Sequence, residues 1–190
     1  MERSPISRRS LILGGAAAGI ATGLAAPALA REPLAPVRRN VSSFVTHDWR
    51  DHFDSLGKGV IIEDTVSRSL HHWNADGTDY RVYPTSVPMT DELTRRGYSK
   101  IVRKRVGPDW TPTENMKKAN PDLPDYMPPG PDNPLGTHAM YLTWPAYLIH
   151  GTHDTRKIGR RSSSGCFGLY NPMIEELFAI TPIGTQVRVL

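Results

Sequence analysis

A single cysteine, and a histidine sixteen residues before it, are where this sequence can do chemistry. Cys166 sits in Ser163-Ser164-Gly165-Cys166-Phe167-Gly168, a thiol between glycines that follows small hydroxyl residues. Glycine at 165 permits a tight turn and a close approach of backbone to a bound molecule. Taken alone, the loop leaves a catalytic and a structural cysteine both open. His150 ends the apolar run Tyr147-Leu148-Ile149 and is followed by Gly151. A thiol attacks as its thiolate, and a free cysteine, with a pKa of about 8.5, is mostly protonated at neutral pH. An adjacent imidazole can take that proton. A histidine without such a neighbour reads as a core residue bonded to backbone. Beside a glycine-flanked lone cysteine, His150 reads as a base.

These two residues need strands to carry them. From Gly59 onward the pattern is β. Val60 to Glu63, Leu70 to Trp73, Tyr80 to Tyr83, Ile101 to Val106, Ala139 to Leu142, Tyr147 to His150 and Gln186 to Val189 are the strand candidates. Asp76-Gly77, between aromatic-rich runs, signals a hairpin. Short strands separated by turns favour a mainly β sandwich or barrel. Helices are few and short: Asp91 to Arg96, Thr113 to Ala119 with Thr113 as N-cap, and a third opened by Asn171-Pro172. Pro121 to Pro134 is dense in Pro and Asp and forms no regular element. A long ordered loop in a compact domain is often functional.

The first thirty residues read as an export signal. Arg8-Arg9 precede Leu11 to Leu29, which carries no charge, and Ala28-Leu29-Ala30 is a small-x-small cleavage site. The paired arginines suggest the twin-arginine route. The apolar stretch is just long enough to anchor the chain instead. Its Gly and Ala content, Pro27 and the cleavage site favour a cleaved signal, which leaves no stable membrane span. Residues 31–57 follow as a linker and entry segment in which Trp49 and Phe53 can dock on the domain, and residues 58–190 form the catalytic domain. Localisation is then the periplasm or cell envelope.

Net charge is +4, and Arg3, Arg8 and Arg9 against Glu2 place half of that excess in the signal. The basic pI is therefore weak support for nucleic acid, and no nucleic-acid motif is present. Export leads to an oxidising compartment where paired cysteines become staples. One cysteine cannot form an internal disulfide, so it is inert, bridged to another chain, or a working thiol. His47, His52, His71 and His72 invite a metal reading. His71 and His72 are adjacent, so on a strand they point to opposite faces, and no metal is assigned.

The segment from Ile149 to Asn171 resembles the catalytic signature of the L,D-transpeptidases, the family with the YkuD-type domain. His150-Gly151, the loop with Ile158-Gly159, Ser163-Ser164-Gly165-Cys166 and Asn171 carry the resemblance. Trp110-Thr111-Pro112-Thr113 with Met116, and Asn133-Pro134-Leu135-Gly136 before Ala139 to Leu142, extend it over roughly Gly59 to Leu190. It implies a YkuD-like β-sandwich with a few short helices and the Pro-rich loop. It also implies peptidoglycan stem peptides as substrate and no cofactor. Cys166 would attack the meso-diaminopimelate carbonyl of a tetrapeptide stem, release D-alanine, and pass the acyl group to an amine of a neighbouring stem. His150 would be the base, the Gly151 carbonyl would orient it, and backbone N–H groups near Ser164, Gly165 and Cys166 would hold the oxyanion. Trp110, His138 and Tyr141 are candidates for lining the cleft.

Two positions depart from the family pattern, the first being Ser164, where histidine is common and whose change leaves His150 untouched as the base. At the second, an arginine two residues after the cysteine is usual, and this chain has Gly168. Arg156, Lys157, Arg160 or Arg161 could supply the missing charge. Otherwise the enzyme takes another donor position on the stem, or acts as an L,D-carboxypeptidase or D-amino-acid exchange enzyme. A peptidoglycan-binding module with a decayed site is the non-enzymatic alternative.

Overall fold

The computed structural model describes residues 45–190. The expected export signal and the first part of the entry segment lie outside the described residues. β-Branched and aromatic runs form ten strands: β1 Val60–Asp64, β2 Ser69–Trp73, β3 Tyr80–Pro84, β4 Val87–Pro88, β5 Gly97–Val106, β6 His138–Leu142, β7 Leu148–Thr152, β8 Arg161–Ser163, β9 Phe167–Tyr170 and β10 Gln186–Val189. Two helices join them, α1 Glu114–Ala119 and α2 Asn171–Ile180. Every strand expected from the sequence is present. The two-residue β4 and the short β8 and β9 are additional, and they are held by partners rather than by their own pattern.

Eight strands make one sheet in the order β3-β2-β1-β10-β5-β6-β7-β9. The register of the long β5 slips between Ile101 and Arg103. A bulge bends its strand and raises the local twist. Ile61, Leu70 and Val187 from one half of the sheet and Met140, Ile149, Phe167 and Leu169 from the other share a single apolar core, so the bent sheet packs as a sandwich. Ile174 and Leu177 of α2 join that core. β4 and β8 form a small parallel pair beside it.

At Asp76-Gly77 the Asp76 carboxylate accepts from the Thr78 amide at 2.9 Å, and Gly77 takes a φ of 75°. The hairpin places Trp73 opposite Tyr80. A 3-10 turn at Trp49–Asp51 leads in, and Trp49, Phe53 and Leu56 pack on Val60, Ile62 and Trp73.

Two helix expectations change. Asp91 to Arg96 is turn and bend, because the Asp91 carboxylate reaches forward to Arg96 and across to Arg161 instead of capping a helix. The cap of α2 is Tyr170, without a side-chain bond, and Asn171 is its first residue. The Asn171 side chain is used elsewhere, accepting from the Thr137 amide at 3.2 Å.

His71 and His72 do point to opposite faces, and both are fully buried. His71 bonds Ser69 Oγ at 2.9 Å and Tyr80 OH at 2.7 Å. Neither ring nitrogen of His72 has a partner among the described residues. Burial lowers the His72 pKa to about 4 from 6.5. The unfolded chain thus binds this proton first, and the stability it represents is present above pH 6.5 and lost as pH falls toward 4. Replacing an unpaired buried polar group by an apolar one of similar volume is neutral or stabilising. His72→Leu is therefore expected to raise the melting temperature at pH 7 and to flatten its decline between pH 6.5 and 4. A melting temperature lowered by several degrees at pH 7 would contradict this.

Candidate active site

Strand alternation places the reactive pair. Ile149 in β7 and Phe167 and Leu169 in β9 are fully buried in the shared core. Each such side chain contributes about 1.5–3 kcal/mol by leaving water. A one-residue slip would turn them outward, so the register is strongly held. Their neighbours must take the other face. Leu148, His150 and Thr152 therefore face away from that core, as do Cys166 and Gly168. The parallel pairing of β7 with β9 sets Ile149 beside Phe167 and His150 beside Gly168. Two residues back along β9's approach, Cys166 reaches the same side.

That side opens into a cavity of about 450 Å³ lined by His150, Thr152, Ser163, Ser164 and Cys166 at its base. The segment 110–135 forms the opposite wall, with Trp110, Met116, Leu123, Met127 and Leu135 turned inward. The Pro-rich loop is thus an ordered wall. Trp110 and Met127 exchange backbone hydrogen bonds of 2.9 and 2.8 Å. Asn133, only 1% exposed, donates its side-chain amide to the carbonyls of Pro108 and Pro128 at 3.0 Å each. Its oxygen accepts from the Leu135 amide at 2.9 Å.

His150 is 8% exposed, and its Nδ1 bonds the carbonyl of Gly151. A carbonyl only accepts, so Nδ1 carries the proton and Nε2 is left as the basic nitrogen. Burial lowers the imidazole pKa to about 4; the Gly151 bond opposes that shift, and the Lys157 charge adds to it. The Cys166 thiol donates to the Ala146 carbonyl at 3.3 Å, and burial pushes its pKa up to about 11. Ala146 takes a φ of 63° in the turn between β6 and β7, which aims that carbonyl. Both groups are therefore held in their uncharged forms, and both face the one cavity.

Gly151 can be nothing else. A Cβ there would lie 2.2 Å from Asn171 Oδ1 and 3.1 Å from Ile174. Gly136 meets the same Asn171 oxygen at the same distance. Asn171 is thus wedged between two glycines and ties the starts of β6 and α2 to the end of β7.

The remaining sequence candidates divide. Trp110 and Ser164 line the cavity. Gly165 takes a φ of 135° against the Tyr147 ring, and its N–H reaches Ser163 Oγ at 3.4 Å. Tyr141 lies beneath the wall, packed with Leu135 and Leu148, its ring covered by Arg103 at 3.5 Å. His138 lies on the other face of β6, against Phe178. Arg161 pairs with Asp91, and Arg160 is exposed outside the lining. Arg156 pairs with Asp154. Among the described lining residues Lys157 is the only lysine or arginine. Gly168 is buried within β9 and bonded on both sides, so it does not loosen the loop. Ser86, which the sequence did not single out, lines the cavity next to it.

A half-buried thiol, a tautomer-locked imidazole and an open cavity that both line can carry acyl transfer through a thioester. The fold and site define a class: residues 58–189 match the L,D-transpeptidase catalytic domain of the YkuD family, and the chain belongs to that family. It is 60% identical over 188 residues to a Fuscovulum blasticum protein, ORF 5 of the ATP synthase subunits region, whose name gives L,D-transpeptidase as a provisional assignment. It is 35% identical over 142 residues to the "Probable L,D-transpeptidase ErfK/SrfK" of Escherichia coli (strain K12). The chain spans 98% of the first and 45% of the second. L,D-transpeptidase 3 from Mycobacterium tuberculosis shares the fold, with a TM-score of 0.55 at 17% identity over 70% of this chain and 61% of that one.

Two outcomes test the geometry. Without substrate, the alkylation rate of Cys166 is expected to climb with a midpoint above that of a free thiol, about 8.5; a plateau already reached at pH 7 would contradict the neutral pair. Gly151→Ala is expected to cost at least about 1–3 kcal/mol in urea denaturation, because the inserted methyl overpacks the Asn171 wedge. Unchanged stability would show that the wedge is soft.

Proposed function

We propose that this chain is an exported L,D-transpeptidase of the cell envelope that joins peptidoglycan stem peptides through a thioester on Cys166. The observation that carries this reading is the shared cavity of Cys166 and His150, with Nδ1 of His150 committed to Gly151. Cys166 Sγ attacks the donor carbonyl while His150 Nε2 takes the thiol proton. The tetrahedral oxyanion is held by the backbone N–H of the loop at Cys166, the Gly165 N–H being engaged by Ser163 Oγ; one such donor is worth about 3 kcal/mol. The C–N bond then breaks, and the imidazolium returns its proton to the leaving amine of the terminal D-alanine. An amine of a second stem attacks the thioester, His150 takes its proton, and the free thiol is restored. Neither ATP nor a metal is needed to balance these steps.

The donor is a tetrapeptide stem cut after meso-diaminopimelate, or a stem cut at a less common position. Lys157 is the charge placed to meet a substrate carboxylate. The twin-arginine signal at the N-terminus delivers the domain to the periplasm, where its substrate is.

Incubation with disaccharide tetrapeptide muropeptides is expected to yield crosslinked dimers that have lost one alanine per bond, read by mass spectrometry. Cys166→Ala is expected to reduce the rate at least about a thousandfold. Dimers formed equally by the alanine variant would remove Cys166 as nucleophile. Trimmed or D-amino-acid-exchanged stems without dimers would make the enzyme a carboxypeptidase or an exchange enzyme instead.

A further inference from the structure

Strand β7 and the bridge residue Ser86 flank Gly168 of β9. On one side β7 sets His150 beside it. On the other, Ser86 pairs with it as an antiparallel bridge, its N–H donating to the Gly168 carbonyl at 2.8 Å. The Gly168 N–H in turn donates to Ser86 Oγ at 3.1 Å. Gly168 has no positive φ, so its backbone does not require glycine. What requires it is space. A Cβ at 168 would lie 2.6 Å from Ser86 Oγ and 3.7 Å from His150 Cε1. The Ser86 hydroxyl therefore fills the space that a side chain at 168 would take, close to the His150 imidazole.

Ser86 is 4% exposed and lines the cavity. Its oxygen accepts from Gly168, and no acceptor for its proton is found among the described residues. A nearly buried hydroxyl with its proton unspent costs free energy unless a bound group accepts it. The neighbouring alternatives are poor. Thr85 spends its hydroxyl on Glu63 Oε1 at 2.6 Å, and Lys157 is the lining cation elsewhere in the cavity.

We propose that Ser86 forms a substrate subsite at this wall of the cavity, in which its hydroxyl donates to an uncharged carbonyl oxygen of the stem peptide and so places the donor bond against Cys166. The assignment rests on the transpeptidase reading and adds a specificity residue to it. A single neutral hydroxyl matches a peptide amide; a carboxylate would demand a cation or several donors. Gly168 serves the same subsite by leaving room for the Ser86 hydroxyl and donating its N–H to it. The chain thus meets the donor at this wall with a hydroxyl, and meets charge at Lys157.

The test reads binding and reaction separately. Calorimetry of a disaccharide tetrapeptide muropeptide is done in the unreactive Cys166→Ala background, with and without Ser86→Ala. Loss of the hydroxyl is expected to weaken binding about tenfold. In the active enzyme the same change is expected to raise KM about tenfold, with kcat and the pH profile of Cys166 alkylation unchanged. Melting temperatures that fall while donor affinity stays within about twofold would make Ser86 structural and overturn the subsite. Affinity lost on Ser86→Ala, together with no dimers from the wild type, would keep the subsite and reject the acceptor half of the transpeptidase reading.

Discussion

The bond from His150 Nδ1 to the Gly151 carbonyl is the interaction on which the site depends. It fixes which nitrogen is basic, and it uses the backbone of the very next residue to do so. A carbonyl cannot be protonated at working pH, so the imidazole is oriented without a carboxylate partner. Gly151 reaches this role only because its missing side chain makes room for Asn171. Asn171 in turn secures Thr137 at the start of β6 and begins α2, whose Ile174 and Leu177 enter the core. The catalytic tautomer and the packing of the sandwich are thus two consequences of one contact.

Burial then sets the electrostatics. It holds the imidazole pKa near 4 and the thiol near 11, and both directions favour the uncharged forms. A preformed thiolate–imidazolium pair would have to be built against that desolvation. In the proposed reaction, proton transfer would accompany bond formation. The wall made by segment 110–135 supports this by closing the cavity from the far side, which strengthens every dipole aimed into it. Asn133 holds that wall with backbone bonds rather than with apolar contact alone, so a polar, proline-rich stretch stays ordered.

Much of this was legible in the sequence because alternation and spacing are local. Leu148-Ile149-His150 and Phe167-Gly168-Leu169 show apolar residues on one face, and that fixes where His150 and Cys166 must point. The pair and the Pro-rich loop followed from residue types in order, and the role of the Gly151 carbonyl followed from the family resemblance. What was not legible depends on partners distant in sequence. His138 and Tyr141 lie in one strand three positions apart, yet His138 meets Phe178 and Tyr141 meets Arg103, so neither reaches the cavity lining. The basic residues between His150 and Cys166 look equivalent in sequence, but Asp91 and Asp154 occupy Arg161 and Arg156, and Lys157 faces the cavity. Ser86 carries no local signal at all; only the pairing of residues 86 and 168 reveals it.

The central claim is that His150 rests as the neutral Nδ1–H tautomer against Gly151. Nitrogen-15 NMR of the histidine side chains, with His150 assigned by loss of its signal in His150→Gln, reads this directly. The account predicts a protonated Nδ1 and an unprotonated Nε2 from pH 8 down to about 5, with titration only near pH 4. An imidazolium at pH 7, protonated on both nitrogens, would contradict it.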